Sequence, residues 1–226
     1  MMPGGRQAAC VKSVNVGSLV PGSAKGPPTA INKLPVEGAV WVRGPATAKG
    51  ASGVEGDSVG DREHHGGTEQ AVYAFAREDL DYWQAELSRE LPDGMFGENL
   101  TTVGIDPSLA PIGERWQVGR DLVLQVTGPR IPCKNFTARM GEPGWARRFT
   151  ETGRPGAYLK VLEAGQISAG DPITILHTPS HGVDVQLALF ALTIKPELLL
   201  ELLAAGDDLE KGLRAEIEKK LQRWEK

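Results

Sequence analysis

The sequence predicts a mostly β protein with α: a closed or half-closed β-barrel core carrying one long helix, followed by a small three-helix unit. Three observations lead there. The 28 Gly and 16 Pro make up 44 of 226 residues, well above ordinary usage, which favours many tight turns over a helical bundle. Six or more strand-length runs are separated by turn residues, and closing them into a barrel disposes of exposed edges. After Pro179 the composition changes into helix-like segments. At 24.2 kDa, 40% hydrophobic and 24% charged, the chain suffices for one sizeable core plus an appendage, placed at residues 11–180 and 184–226.

Residues 11–19 (VKSVNVGSL) alternate apolar and polar side chains, as a first strand does. Residues 20–28, with three Pro and two Gly, form a loop, and residues 30–36 (AINKLPV) and 39–42 (AVWV) follow as short strands. Residues 43–67 are glycine-dense and rich in Asp, Glu and His. They are longer than a structural connection needs, which makes them a candidate functional loop. Thr68 then reads as the N-cap of the long helix, with Val72, Phe75, Ala76, Leu80, Trp83 and Leu87 on one face, until Pro92-Asp93-Gly94 stops it. Strands are expected at 100–105, 115–118, 122–127, 157–162 and 171–176. Helices are expected at 185–192, 196–204 and 209–224, punctuated by Pro196 and by Gly206-Asp207-Asp208. Their apolar positions (Leu187, Phe190, Leu198, Leu199, Leu202, Leu213, Ile217, Leu221, Trp224) allow three-helix packing, but about 40 residues alone are marginal and should lean on the barrel or on a partner.

Composition also narrows function. The chain has 25 Lys and Arg against 29 Asp and Glu, a net charge of −4, which removes the broad basic footprint of a nucleic-acid binder and leaves room for a local basic pocket. The longest apolar run, 185–194, is far shorter than the ~20 residues of a membrane span. Residues 1–10 lack the apolar stretch of a secretory signal, so a cytoplasmic, reducing setting is expected. Two cysteines, Cys10 and Cys133, cannot build a disulfide framework, a Cys₄ zinc site or a four-thiolate iron–sulfur cluster.

Cys133 is the most suggestive residue. In Pro129-Arg130-Ile131-Pro132-Cys133-Lys134 it follows a strand on a stiff turn between two cations that favour a thiolate, although an inert buried cysteine fits the same residues. His64-His65-Gly66-Gly67-Thr68 meets a helix start, where free N–H groups would attract a phosphate or carboxylate; a glycine-rich turn with solvated histidines is the plainer alternative. His177 and His181 are four apart, but Pro179 breaks the helix that would align them, which argues against zinc. Asp57 and Asp61 invite an acid/base or Mg²⁺ reading, and in a glycine-rich loop read rather as turn residues. Lys33 is either an edge-strand gatekeeper or a cation pointed into a pocket. Arg147, Arg148 and Arg154 read as solvated.

Taken in order, several short motifs form a pattern: Gly53-Val54-Glu55-Gly56-Asp57, Gly60-Asp61, His65-Gly66-Gly67 with Ala71-Val72-Tyr73, Phe96-Gly97-Glu98-Asn99-Leu100, Pro129-Arg130 with Pro132-Cys133, Gly153-Arg154-Pro155-Gly156 with Tyr158, and Gly170-Asp171. The chain resembles the MOSC-domain family, named for the C-terminal domain of molybdenum cofactor sulfurase, and within it the YiiM-like bacterial branch. The resemblance covers roughly residues 11–180, and residues 184–224 resemble that branch's three-helix appendage.

The resemblance implies a β-rich barrel that binds the molybdenum cofactor, a metal held by the dithiolene of a phosphorylated pterin. Cys133 matches the family's cysteine and would give molybdenum a further sulfur ligand. Lys33, Arg130 and the His65-Gly66-Gly67 turn would share the anionic pterin phosphate, and Asn99 would be a hydrogen-bonding pocket wall. Pyridoxal phosphate is not expected. The implied activity is reduction of N-hydroxylated purines, hydroxylamines or amidoximes, with His65 or a nearby cation helping to deliver protons. Electrons would come from a separate flavin or iron–sulfur reductase, since the chain can carry neither a plant-type cluster nor a G-x-G-x-x-G dinucleotide fold. The competing readings are a sulfur carrier that uses a Cys133 persulfide in cofactor or cluster assembly, and a binding module in which Cys133 is dispensable. The chain departs from the family at Glu114, where relatives often carry Asp, and in a longer loop at 43–52.

Overall fold

The computed structural model describes residues 8–22 and 28–224, the side chain of Trp224 excepted. The first strand, β1 (Cys10–Val16), lies between the short β2 (Leu34–Pro35) and β5 (Leu100–Val103). After β3 (Val40–Val42) and the long loop, β4 (Val72–Ala76) leads directly into α1 (Arg77–Leu87), which crosses over to β5. β4 and β5 are accordingly parallel, as a helical crossover requires, and the sheet's other pairings are antiparallel. β6 (Arg115–Val118), β7 (Leu122–Pro129), β8 (Ala157–Glu163) and β10 (Ile173–His177) complete an eight-stranded sheet in the order β10-β6-β7-β8-β4-β5-β1-β2, while β9 (Gly165–Ile167) pairs with β3. Two helices, α2 (Lys134–Met140) and α3 (Trp145–Thr152), fill the β7–β8 connection.

The half-closed form is the one observed. The sheet curls until the start of β1, the strand beside the end strand β2, meets the residues just before β10 at the bridge Cys10 to Pro172, with Ile173 N–H donating to Ala9 O at 2.9 Å and Val11 N–H to Asp171 O at 2.9 Å. Among the described residues no continuous ladder closes it.

The expected long helix from Thr68 is corrected. Residues Thr68–Gln70 form one 3₁₀ turn, 72–76 are a strand, and the helix occupies Arg77–Leu87 alone. All five residues of β4 are buried, with Val72 and Ala74 in one apolar cluster and Tyr73 and Phe75 in another. A run apolar on both faces satisfies helical and strand spacing alike, and burial on both faces selects the strand. Of the expected strand at 30–36 only Leu34–Pro35 is paired. α2 and α3 were not anticipated; each buries an i, i+4 pair, Phe136 with Met140 and Trp145 with Phe149.

α4 (Val185–Thr193) begins at Asp184, whose carboxylate accepts Leu187 N–H at 2.7 Å. A 3₁₀ turn (Pro196–Leu198), α5 (Leu199–Leu202), a second 3₁₀ stretch (Leu203–Asp208) and α6 (Lys211–Trp224) follow. Val185, Ala188, Leu202 and Ile217 belong to the same buried cluster as Trp116, Leu122 and Leu124 of the sheet. Among the described residues no helix is long and apolar enough to cross a membrane.

Because this core is continuous, Leu202→Ala, at a fully buried position, should destabilise the whole protein by about 2–5 kcal/mol. Thermal unfolding followed by far-UV and near-UV dichroism should show one transition moving down with both probes; a shift confined to a separate helical transition would contradict the shared core.

Candidate functional site

One cavity at the end of the sheet brings together Lys33, His65, Gly66, Asn99, Arg130 and Cys133. Lys33 immediately precedes β2, His65 ends the long loop, Asn99 precedes β5, and Arg130 and Cys133 lie between β7 and α2. The loop of 43–67 supplies Ser52, Asp57, Asp61 and His65 to the lining.

Arg130 organises the chemistry. It is 7% exposed, with its guanidinium 5.2 Å from the Tyr73 ring centre and 5.0 Å from that of Phe136. Nη1 donates to Tyr158 Oη at 3.2 Å, and Nη2 reaches Cys133 Sγ at 3.9 Å. Its buried Nε has no hydrogen-bond partner among the described residues. Burial alone would raise the Cys133 thiol, but a hydrogen bond from His65, the Arg130 charge and the Phe136 backbone N–H outweigh it and bring the thiol down to about 6. At neutral pH that shift favours the thiolate form of Cys133. The second expected cation, Lys134, is exposed and does not line the cavity; His65 takes its place.

Asp57 is no simple turn residue. Its side chain is 2% exposed; Oδ1 accepts the Lys33 ammonium and Gly17 N–H (2.8 Å), and Oδ2 accepts Ser52 Oγ (2.7 Å) and Asn99 Nδ2 (2.9 Å). Lys33 thus resolves as the cation in the pocket. Burial lowers its pKa, and the adjacent Asp57 opposes that shift. Asn99 lines the cavity, but its amide serves the protein: Oδ1 accepts Tyr73 N–H at 3.2 Å while Nδ2 bonds Asp57 and Asn15 O.

The anion turn expected at His65-Gly66-Gly67 is corrected. His65 N–H donates to Asp61 O, Gly66 N–H to Gln70 Oε1 and Gly67 N–H to Ala51 O, so the three donors already have acceptors. A three-residue 3₁₀ turn follows in place of a helix with a useful dipole. Both glycines take positive φ (74° and 91°), and a Cβ on Gly67 would sit 1.9 Å from Ala48 O. They are required by the close approach of residues 48–51, and Gly67 does not line the cavity. Arg154, read as solvated, pairs with the buried Asp79. The departing Glu114 lies outside the cavity lining and accepts Trp116 Nε1 at 2.7 Å.

Sequence reasoning missed Ser52, Gln70 and Asn135 as lining residues. No local pattern marks them. Tyr73 and Tyr158 stood in the quoted motifs without a role; the structure makes them walls around Arg130.

The chain is similar to known proteins in sequence and in fold. A family model described as MOSC domain matches residues 61–174. The Bacillus subtilis protein YflK is 33% identical over 160 residues, 71% of this chain and 69% of its own length. A Gibberella moniliformis protein named reductase is 34% identical over 83% of this chain, which spans only 33% of that longer protein. The fold matches the crystal structure of YiiM from Geobacillus stearothermophilus with a TM-score of 0.75 at 23% identity, covering 94% of this chain and 99% of that one.

In a Cys10→Ser background, alkylation of Cys133 by iodoacetamide should titrate with a midpoint of about 6. His65→Gln or Arg130→Met should move that midpoint up by roughly 1 pH unit or more, since each removes a group that favours the thiolate. An unmoved midpoint in both variants would refute the assignment.

Proposed function

The chain belongs to the MOSC domain family, and on that premise we propose that it is a MOSC-type reductase that binds the molybdenum cofactor and reduces N-hydroxylated compounds. The observation that carries this reading is the convergence, in one cavity, of a thiolate with a buried guanidinium whose Nε lacks a protein acceptor among the described residues. A buried donor without an acceptor is costly, and an anionic group of a ligand relieves that cost. The soft Cys133 Sγ suits a redox-active metal, and Lys33 and Arg130 suit a phosphate, so the donor set fits both ends of a molybdenum–pterin phosphate.

When bound, that cofactor supplies the two-electron chemistry by which an N-hydroxyl oxygen leaves as water. The chain's own residues set the conditions for it. Arg130 and His65 keep Cys133 ionised and ready to ligate. The His65 imidazole, hydrogen-bonded at Sγ, is the group able to hold and pass a proton at the cavity wall. Tyr73 and Tyr158 close the side behind Arg130 and limit water there. With two cysteines the chain carries no cluster of its own, so electrons come from a separate flavin or iron–sulfur protein. The name of the longer Gibberella relative supports a reductive role. Hydroxylamines, amidoximes and N-hydroxylated purines are the substrate classes to screen.

Protein produced in a host competent for cofactor synthesis should contain molybdenum, by elemental analysis, and pterin, by fluorescence after oxidation. Cys133→Ala should keep the fold and lose N-hydroxyl reduction. Repeated absence of both molybdenum and pterin from the wild type would overturn the reading, and a persulfide at Cys133 by mass spectrometry would favour sulfur carriage instead.

A further inference from the structure

Lys33 presents a problem that its surroundings solve. It is 7% exposed, it lines the cavity, and Asp57 Oδ1 is its one acceptor among the described residues, leaving two of its three N–H donors for a ligand. Asp57 is in turn held by Gly17 from the end of the first strand, by Ser52 from the long loop and by Asn99 before β5. Four donors on two carboxylate oxygens leave Asp57 little freedom to rotate or to bind a ligand itself. Arg130, itself buried, lines the same cavity.

We infer that Asp57 is a positioning residue: it fixes the Lys33 ammonium at the cavity wall so that Lys33 and Arg130 bracket a tetrahedral oxyanion of the phosphate class. The identity of that anion as part of a cofactor rests on the function proposed above; the role of Asp57 does not. Burial and the neighbouring Arg130 both push Lys33 toward losing its proton, and Asp57, with a smaller contribution from Glu98, works against them. Without Asp57 the ammonium would have to regain a proton before it could hold an anion. Anion binding and proton uptake would then be linked.

This predicts the reverse of simple charge counting. Deleting a carboxylate beside an anion site should, by Coulomb's law alone, tighten binding at every pH with an unchanged profile. If Asp57 acts through Lys33, the profile itself must move. Inorganic sulfate is the probe, since it is tetrahedral and does not titrate near neutrality. The other groups around Lys33 and the cavity are Asp57, Asp61, His65, Glu98, Arg130, Cys133, Tyr73 and Tyr158. Cys133, at about 6, and Glu98, pushed up by burial to about 7, are ionised at alkaline pH, while burial raises both tyrosines above their ordinary range. Over about pH 8 to 10 the Lys33 proton is told apart from those of the other groups by following its own Nζ resonance.

The experiment is calorimetric titration of sulfate into the cofactor-free full chain over that range, in buffers of different ionisation enthalpy, for wild type, Asp57→Asn and Lys33→Met. The Lys33 Nζ resonance is followed in parallel by NMR. In Asp57→Asn the Lys33 titration should move to lower pH. Sulfate binding should take up a proton there, with affinity falling by up to about tenfold per pH unit above the new midpoint. Lys33→Met should show weaker binding without that proton uptake. An unshifted Lys33 titration in Asp57→Asn, tighter sulfate binding at every pH, or no sulfate binding by the wild type would overturn the inference. Should Asp57→Asn fail to fold, Ser52→Ala, which removes one of the four bonds to Asp57, should shift Lys33 in the same direction by less, and no shift would count against it. Wild type that acquires neither molybdenum nor pterin in a competent host defeats the cofactor reading and leaves the sulfate profile to decide this one; an unmoved profile in the cofactor-free chain, where the same protein does acquire cofactor in that host, defeats this inference alone.

Discussion

A strand buried on both faces is the constraint from which the rest of the molecule follows. Val72 and Ala74 of β4 face the aliphatic core that extends into the C-terminal helices, while Tyr73 and Phe75 face an aromatic cluster formed with Phe96, Phe136, Trp145 and Phe149. Phe136 sits in the first turn of α2, two positions beyond its first residue, and Cys133 is the residue before that helix. The aromatic packing that satisfies one face of β4 thus also fixes where the thiol stands. The rings meet mostly edge to face, as between Phe75 and Phe96 (4.9 Å) and between Phe136 and Phe149 (5.0 Å), which restricts sliding of α2 and α3 against the sheet.

Placing Arg130 in that setting makes the cavity electrostatically demanding. A buried guanidinium must be compensated, and here two rings, a phenol oxygen and a thiolate share the task. The same interaction works in both directions: the cation favours the thiolate, and the thiolate makes the cation tolerable. Asp57 and Lys33 form a second, nearly neutral pair in the same cavity lining. The cavity therefore gathers one reactive sulfur and two buried cations, instead of a diffuse basic patch, in keeping with a protein whose net charge is −4.

Much of this organisation was legible in the sequence. Most antiparallel strands announced themselves by alternation and turn residues, and Arg115–Val118 was placed to the residue. The helices after Pro179 were visible as apolar spacing with Pro196 and the Gly206 break. The motif order pointed to Cys133, Arg130, Lys33 and His65, which do share one cavity. Where the reading failed, two local patterns gave the same signal. Val72-Tyr73-Ala74-Phe75-Ala76 suits helix and strand equally, and His65-Gly66-Gly67 looks the same whether its N–H groups are free or bonded to Ala51 and Gln70.

By itself the sequence determined the chemical inventory: one cysteine in a cationic, proline-stiffened segment, too few thiols for a cluster, a long polar loop and a fold of short strands. Tertiary structure decided which groups remain available to a ligand. Asp57 meets Lys33 across 24 residues of chain and Asn99 across 42, and Gly67 is required by a backbone that passes it from residues 48–51. Periodicity and turn chemistry are local properties and can be read from neighbours in the chain. Burial, the sharing of hydrogen-bond acceptors and the mutual stabilisation of charges depend on residues that become neighbours only when the sheet curls.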